Sequence, residues 1–124
     1  MENLTYSMIQ DLQDCVTSSE ERVWLILRTG IVEVNNLHSD PKNNFKIDPY
    51  HLVKHSEDLI GTVHSHTEGS ANLSVNDYSS FKNWRKMLHF IVTNNETRAY
   101  YSDGEAVFNA SNSEIARFFE GSLF

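Results

Sequence analysis

The sequence predicts an α/β fold: one domain over residues 1–124, built as a mixed β-sheet with helices on both sides. Three observations carry this. Val23-Trp24-Leu25-Ile26-Leu27, Leu59-Ile60-Gly61-Thr62-Val63 and Phe90-Ile91-Val92 are β-prone apolar runs of strand length and read as buried strands. Apolar residues recur at helical spacing in the stretches around them. The chain has 124 residues, 40% hydrophobic and 22% charged, which suits one domain long enough to bury a core without staples.

Taken in order, Leu4, Met8, Leu12 and Val16, widened by Ile9 and Cys15, predict an amphipathic helix over residues 3–16. After the first strand, Thr29-Gly30 is a turn and Ile31-Val32-Glu33-Val34 pairs back as a hairpin. Residues 35–44 are polar and contain Asp40-Pro41, a loop signature. Phe45-Lys46-Ile47-Asp48 alternates like a short strand, and Asp48-Pro49 resembles a helix start, with Asp as N-cap and Pro at the first position, for a short helix to about His55. The strand at 59–63 runs straight into His64-Ser65-His66, followed by a loop of small residues from Thr67 to Leu73. Ser74 opens a helix whose apolar face is traced by Tyr78, Phe81, Trp84 and Leu88. Past the strand at 90–92, Arg98 to Tyr101 and Glu105 to Phe108 flank Ser102-Asp103-Gly104 as another hairpin, and Ser113 is placed to cap a last helix through Phe119.

Composition excludes several classes. Seventeen Asp+Glu against ten Lys+Arg give a formal charge of −7, and no basic cluster exceeds Lys82, Arg85 and Lys86, which argues against nucleic acid as a partner. No apolar run approaches the roughly 20 residues that cross a bilayer, so no membrane partner is expected. Met1-Glu2-Asn3-Leu4 lacks the basic start and apolar stretch of a signal peptide, so a cytoplasmic setting is expected. The single Cys15 forms no internal disulfide and continues the apolar stripe of the first helix. Six histidines remain to be explained, two of them one residue apart.

Residues two apart on a strand share a face, so His64 and His66 present their imidazoles side by side. Ser74 and Asp77, three apart on a helical turn, also share a face. A helix folded back over the strand end would bring two His and one Asp together as a three-ligand zinc site with the fourth tetrahedral position open to water. Each fragment alone has a plainer use. Ser-x-x-Asp before an apolar helix is an N-terminal capping pattern, and alternating histidines on a half-exposed strand are often merely solvated. The combination of strand, short loop and capped helix is far more specific.

His64-x-His66-x7-Ser74-x-x-Asp77 resembles, spacing for spacing, the motif of the JAMM (MPN+, JAB) metallopeptidases, which cleave isopeptide or peptide bonds, including those of ubiquitin and ubiquitin-like modifiers. The resemblance implies a JAB/MPN domain with the cytidine-deaminase-like fold. The family pattern also needs a Glu just ahead of a buried strand; Glu21 sits there, with Glu20 as its neighbouring alternative, and without the downstream motif either would read as a solvated charge. Asn35-Asn36-Leu37, Asp40-Pro41, Phe45-x-Ile47-Asp48-Pro49, Val63-His64-Ser65-His66 and Gly69-Ser70 further resemble the JAB half of tail assembly proteins of long-tailed phages, the relatives of phage lambda's tail tip assembly protein K. This likeness runs over about residues 8–92. An NlpC/P60 cysteine-peptidase domain often follows in that family, and none is expected within these 124 residues. Two departures stand out. Thr67 occupies the place of the family's usual proline, which removes a stiffening of the loop but no ligand. Val23-Trp24 replace the small residues usual after the Glu, so Trp24 either packs in the core or crowds the cleft.

The resemblance implies that His64, His66 and Asp77 hold one Zn2+, which lowers the pKa of bound water to about 7 and polarises the scissile carbonyl. It assigns Glu21 as general base and then acid, and Ser74 as hydrogen-bond donor to the developing oxyanion. Ser65 faces the other side of the strand and is read as structural. His38 belongs to a polar loop, His51 and His55 to a surface helix without a third ligand, and His89 to a partly buried strand start.

Three functions follow. The first is a zinc metallopeptidase with a protein substrate, acting with phage tail-tip proteins in the cytoplasm of a bacterial host or in the virion tail. The second keeps the fold as a non-catalytic structural or assembly component of the tail. The third is a bacterial deubiquitinase-like isopeptidase for ubiquitin-like modifiers. The complete motif favours activity, and the stretch from Asn35 to Pro49 favours the two phage readings.

Overall fold

A computed structural model describes residues 4–124 of the chain. Its elements are α1 (Tyr6–Asp11), a 3-10 turn (Leu12–Cys15), β1 (Val23–Leu27), β2 (Gly30–Val34), α2 (Pro49–Lys54), β3 (Leu59–Ser65), α3 (Val75–Lys82), β4 (Leu88–Val92), β5 (Thr97–Ser102), β6 (Val107–Asn109) and α4 (Asn112–Phe119). The sheet has six strands in the order β2-β1-β3-β4-β5-β6. Only the β3–β4 pair is parallel, with His64 beside Ile91; the other ladders are antiparallel. The sheet is therefore mixed, as predicted.

Strand alternation splits the core into two layers. Trp24, Ile26, Val63, Phe90 and Val92 face one side and pack with Ile9 of α1 and Ile115 and Phe118 of α4. Val23 and Leu25 face the other, under Leu52 of α2, and Ile91 and Tyr100 lie on that same side under Phe81 of α3. Gly61 permits the close β3–β4 approach, because a Cβ there would collide with the Leu88 carbonyl. Trp24 points into the layer away from His64, so it packs in the core and leaves the cleft free.

Several boundaries differ from those predicted. The first helix becomes a 3-10 turn after Asp11, and Asn3 lies outside the described residues. Residues 45–48 form no strand. The Leu37 N–H donates to the Lys46 carbonyl (2.9 Å), but the Lys46 N–H finds the Asn36 carboxamide oxygen (3.1 Å), so a side chain takes the place of a ladder. The third helix ends at Lys82, with Trp84 in the following turn and Leu88 already opening β4. The last helix is capped by Ser111, not Ser113: Ser111 Oγ accepts from the Glu114 N–H while Glu114 bonds back, a full capping box. His89 is fully buried, not partly; its Nε2 donates to the Trp84 carbonyl (3.0 Å) and its Nδ1 accepts from the Thr62 hydroxyl (2.8 Å). Burial lowers its pKa to about 4, which keeps it neutral under the stacked ring of Phe81.

Candidate metal centre

The end of β3 and the start of α3 meet on the α2/α3 side of the sheet. His64 is the penultimate residue of β3, buried at 1% exposure, and His66 follows one residue past the strand, its N–H still bonded to the Val92 carbonyl (3.0 Å). Between them Ser65 points the other way, and its hydroxyl accepts the Arg22 N–H (2.8 Å), the structural role expected of it. Asp77 enters from the first turn of α3. Its Oδ1 lies 2.9 Å from His64 Nε2 and its Oδ2 2.8 Å from His66 Nε2, and the two Nε2 atoms are 3.3 Å apart.

Asp77 has the capping use and the ligand geometry together. Ser74 Oγ accepts the Asp77 N–H (3.0 Å), and Asp77 Oδ2 accepts the Ser74 N–H (3.1 Å), a capping box that fixes the carboxylate's orientation. The Ser74 hydroxyl proton is not used by that box, and Ser74 lines the cleft.

The arrangement fits a cation. A carbonyl can only accept, so the 2.9 Å contact between His66 Nδ1 and the Ser70 carbonyl places the proton on Nδ1 and leaves a lone pair on Nε2 of the neutral ring. That lone pair faces a carboxylate oxygen and another imidazole nitrogen. Only a proton or a metal ion between them makes this crowd of acceptors favourable, and 3.3 Å is about the edge of a tetrahedron with 2.0–2.1 Å Zn–N bonds. Burial alone would pull the His66 pKa down, but the Asp77 carboxylate, the Ser70 carbonyl and Glu21 together outweigh it and raise it. Burial likewise opposes ionisation of Asp77, yet its bonds to His64 and His66 hold it well below the usual carboxylate range. His64, wholly enclosed, is lowered by burial. Among the described residues, this trio is the one His/Cys/Asp/Glu group whose ligand atoms converge for a metal.

Glu21 precedes β1 and lines the same cleft as His66 and Ser74, which Lys42, Asn43, Thr67, Glu68, Ser70 and Asn72 complete with polar groups. Its side chain is only 5% exposed and its Oε1 has no partner among the described residues. Burial, chiefly, pushes its pKa up from 4.5 to about 8, against the opposing pull of His66. Glu20 is exposed and does not line this cleft. The other histidines stay apart: His38 Nδ1 accepts the Asp40 N–H (2.9 Å), and His51 and His55 sit half-buried on or beside α2.

Two residues that sequence reasoning did not single out shape the site. The Asn36 carboxamide donates to the carbonyls of Glu21 (2.9 Å) and Asn44 (2.8 Å), tying the acid's backbone to the 36–46 loop. The ring of Phe45 lies 4.5 Å from that of His64 and closes one side of the buried imidazole. Asn36 belongs to the stretch read as a polar loop and Phe45 to the segment read as a short strand, so local pattern gave neither a role at the site.

A solved structure, the solution structure of protein DSY2949 from Desulfitobacterium hafniense, superposes with a TM-score of 0.62 at 17% identity, covering 86% of this chain and 88% of that one, which speaks for the fold. Among curated proteins no relative matches this chain. The family model described as "Prokaryotic homologs of the JAB domain" matches residues 10–103, a span that holds Glu21, both histidines, Ser74 and Asp77. With that match over most of its length, the chain belongs to the prokaryotic JAB (Prok-JAB) family.

Proposed function

We propose that this chain is a JAMM-type zinc-dependent peptidase acting on a peptide or isopeptide bond of a protein substrate. The observation that carries the reading is the convergence of His64, His66 and Asp77 beside a cleft into which a buried, unpartnered Glu21 carboxyl also opens. A bound zinc ion would supply Lewis acidity and a water of lowered pKa. Glu21, unpartnered at Oε1 and lining the cleft beside His66, takes the water proton and passes it to the leaving amine. Ser74 keeps its proton and donates a hydrogen bond from its free hydroxyl to the substrate carbonyl oxygen as negative charge develops there. His66, steered by the Ser70 carbonyl, keeps its Nε2 lone pair on the metal side.

Protein purified without chelator is expected to carry about one zinc per chain. Glu21→Gln is expected to keep the zinc and the fold and to lose cleavage. Absence of zinc, with His64→Ala behaving like the wild type, would sink the enzymatic reading.

The setting we propose is phage tail-tip assembly in the cytoplasm of a bacterial host, and the support is the likeness of residues 35–49 to the phage proteins. Neighbouring genes test it: tail-tip genes support it, whereas a ubiquitin-like protein with activating and conjugating enzymes would make the chain an isopeptidase for such modifiers. If a phage assembles with Glu21→Gln but not with the gene deleted, the role is structural.

A further inference from the structure

Residues 66–74 begin with His66 and lead into Ser74 and Asp77, so the shape of this loop sets the distance between two of the candidate ligands. Thr67 stands where a proline would have stiffened it, and its hydroxyl instead donates to the Lys42 carbonyl (3.1 Å). The middle of the loop is held from elsewhere, by the β4–β5 turn and by β5. Glu96 Oε1 accepts the Ala71 N–H at 2.7 Å. The buried Thr93 hydroxyl donates to the Gly69 carbonyl (3.3 Å), and the Tyr100 hydroxyl donates to the Ala71 carbonyl (2.9 Å). The fit is close at Gly69, where a Cβ would meet the Asn95 side chain at 3.1 Å. Ser70 lies between these clamped residues, and its carbonyl receives the His66 Nδ1 proton.

We propose that Glu96 is a positioning residue for the metal centre: by gripping the Ala71 backbone it holds the Ser70 carbonyl where it orients His66. The inference rests on the reading of the trio as a metal site. Glu96 is singled out because its bond to the loop is charge-assisted and therefore the strongest of the three. Its side chain is also partly exposed, at 34%, with Arg98 3.5 Å away, so it can be removed without opening the core. A partner bonded directly to a metal-bound imidazole is typically worth about 10–100-fold in metal affinity, and Glu96, acting one bond further out through the Ser70 carbonyl, accounts for the lower end of that range.

The test is zinc affinity, measured by competition with a chromophoric chelator, together with amide hydrogen exchange at Ala71, for full-length wild type, Glu96→Ala and Glu96→Gln. Glu96→Ala is expected to weaken zinc binding by about tenfold and to speed Ala71 exchange. Glu96→Gln keeps an accepting oxygen and is expected to stay within about threefold of wild type. Should the alanine variant fail to fold, Glu96→Asp, one methylene too short to reach Ala71, reads the same loss. Wild-type affinity in the alanine variant, or equal losses in alanine and glutamine, overturns the positioning role while leaving the metal site standing. A wild type that binds no zinc overturns both.

Discussion

Asp77 and Glu21 show how two carboxyls a short distance apart acquire opposite characters. Asp77 faces two imidazole nitrogens and the Ser74 N–H and stays ionised; Glu21 has no donor at Oε1, and burial pushes it to about 8. Replacing Asp77 by Asn removes the charge that both histidines face. We expect this variant to lose zinc retention and, in metal-free protein, to lose about 1–3 kcal/mol of stability, because Asn offers only one accepting oxygen where the carboxylate serves both imidazoles; chelator competition and urea melts measure the two effects. For Glu21 the sign is the reverse of the usual carboxylate. Its folded pKa lies above its ordinary value of 4.5, so the protonated form favours the native state. That contribution is complete below pH 4.5 and is lost as pH rises through about 8. Metal-free Glu21→Gln, which cannot ionise, is therefore expected to match wild type at acid pH and to exceed it by a gap that opens above pH 4.5 and reaches a few kcal/mol by about pH 8, read by denaturation across the range. Ser-x-x-Asp and His-x-His were legible as motifs because their spacing encodes shared faces; the unpartnered state of Glu21 was not, since it depends on what Pro41 and Asn36 do to its backbone.

Elements place these residues through caps and ladders. Ser74→Ala removes the side-chain cap of α3, and Ser111→Ala the equivalent cap of α4. Each is expected to cost about 1 kcal/mol, or roughly 4 °C in a thermal melt, but only the α3 variant should also weaken zinc binding, because its cap orients a ligand. Gly61→Ala pushes a Cβ into the Leu88 carbonyl and the Ile26 side chain, and is expected to destabilise the β3–β4 pair by about 3 kcal/mol, seen as a shifted denaturant midpoint. The strands β1, β3 and β4 were readable because burial on both faces keeps their runs largely apolar, with Thr62 of β3 and His89 of β4 as buried polar residues that bond each other. The segment at 45–48 misled because its alternation is real while its ladder is absent: Asn36 satisfies the Lys46 N–H, freeing Phe45 to cover His64. The Ser111 cap was missed because Ser111 and Ser113 both stand ahead of Ile115, the first buried apolar residue of α4, and only Ser111 has Glu three residues on to close the box.

At the scale of the whole molecule, zinc should behave as a ligand of the native state alone, since the trio is assembled from β3, the loop after it and α3. Free zinc at a hundred times the dissociation constant is expected to add about 2.7 kcal/mol, a rise of several degrees in melting temperature, reversed by chelator and absent in His64→Ala. No helix among the described residues is long and apolar enough to cross a membrane, in keeping with the composition. The mixed α/β class, the strand that carries the histidines, the helix that carries the aspartate and the family itself were all written in local pattern: apolar runs, caps and a spacing that survives without knowing the fold. Local pattern has no access to residues distant in the chain. That Trp24 turns away from the cleft, that Asn36 reaches back to Glu21 and that Glu96 reaches Ala71 across 25 positions were decided by the parallel and antiparallel registers of the sheet. Hydrogen bonds and packing act over ångströms of space, and only the folded chain brings those partners within range.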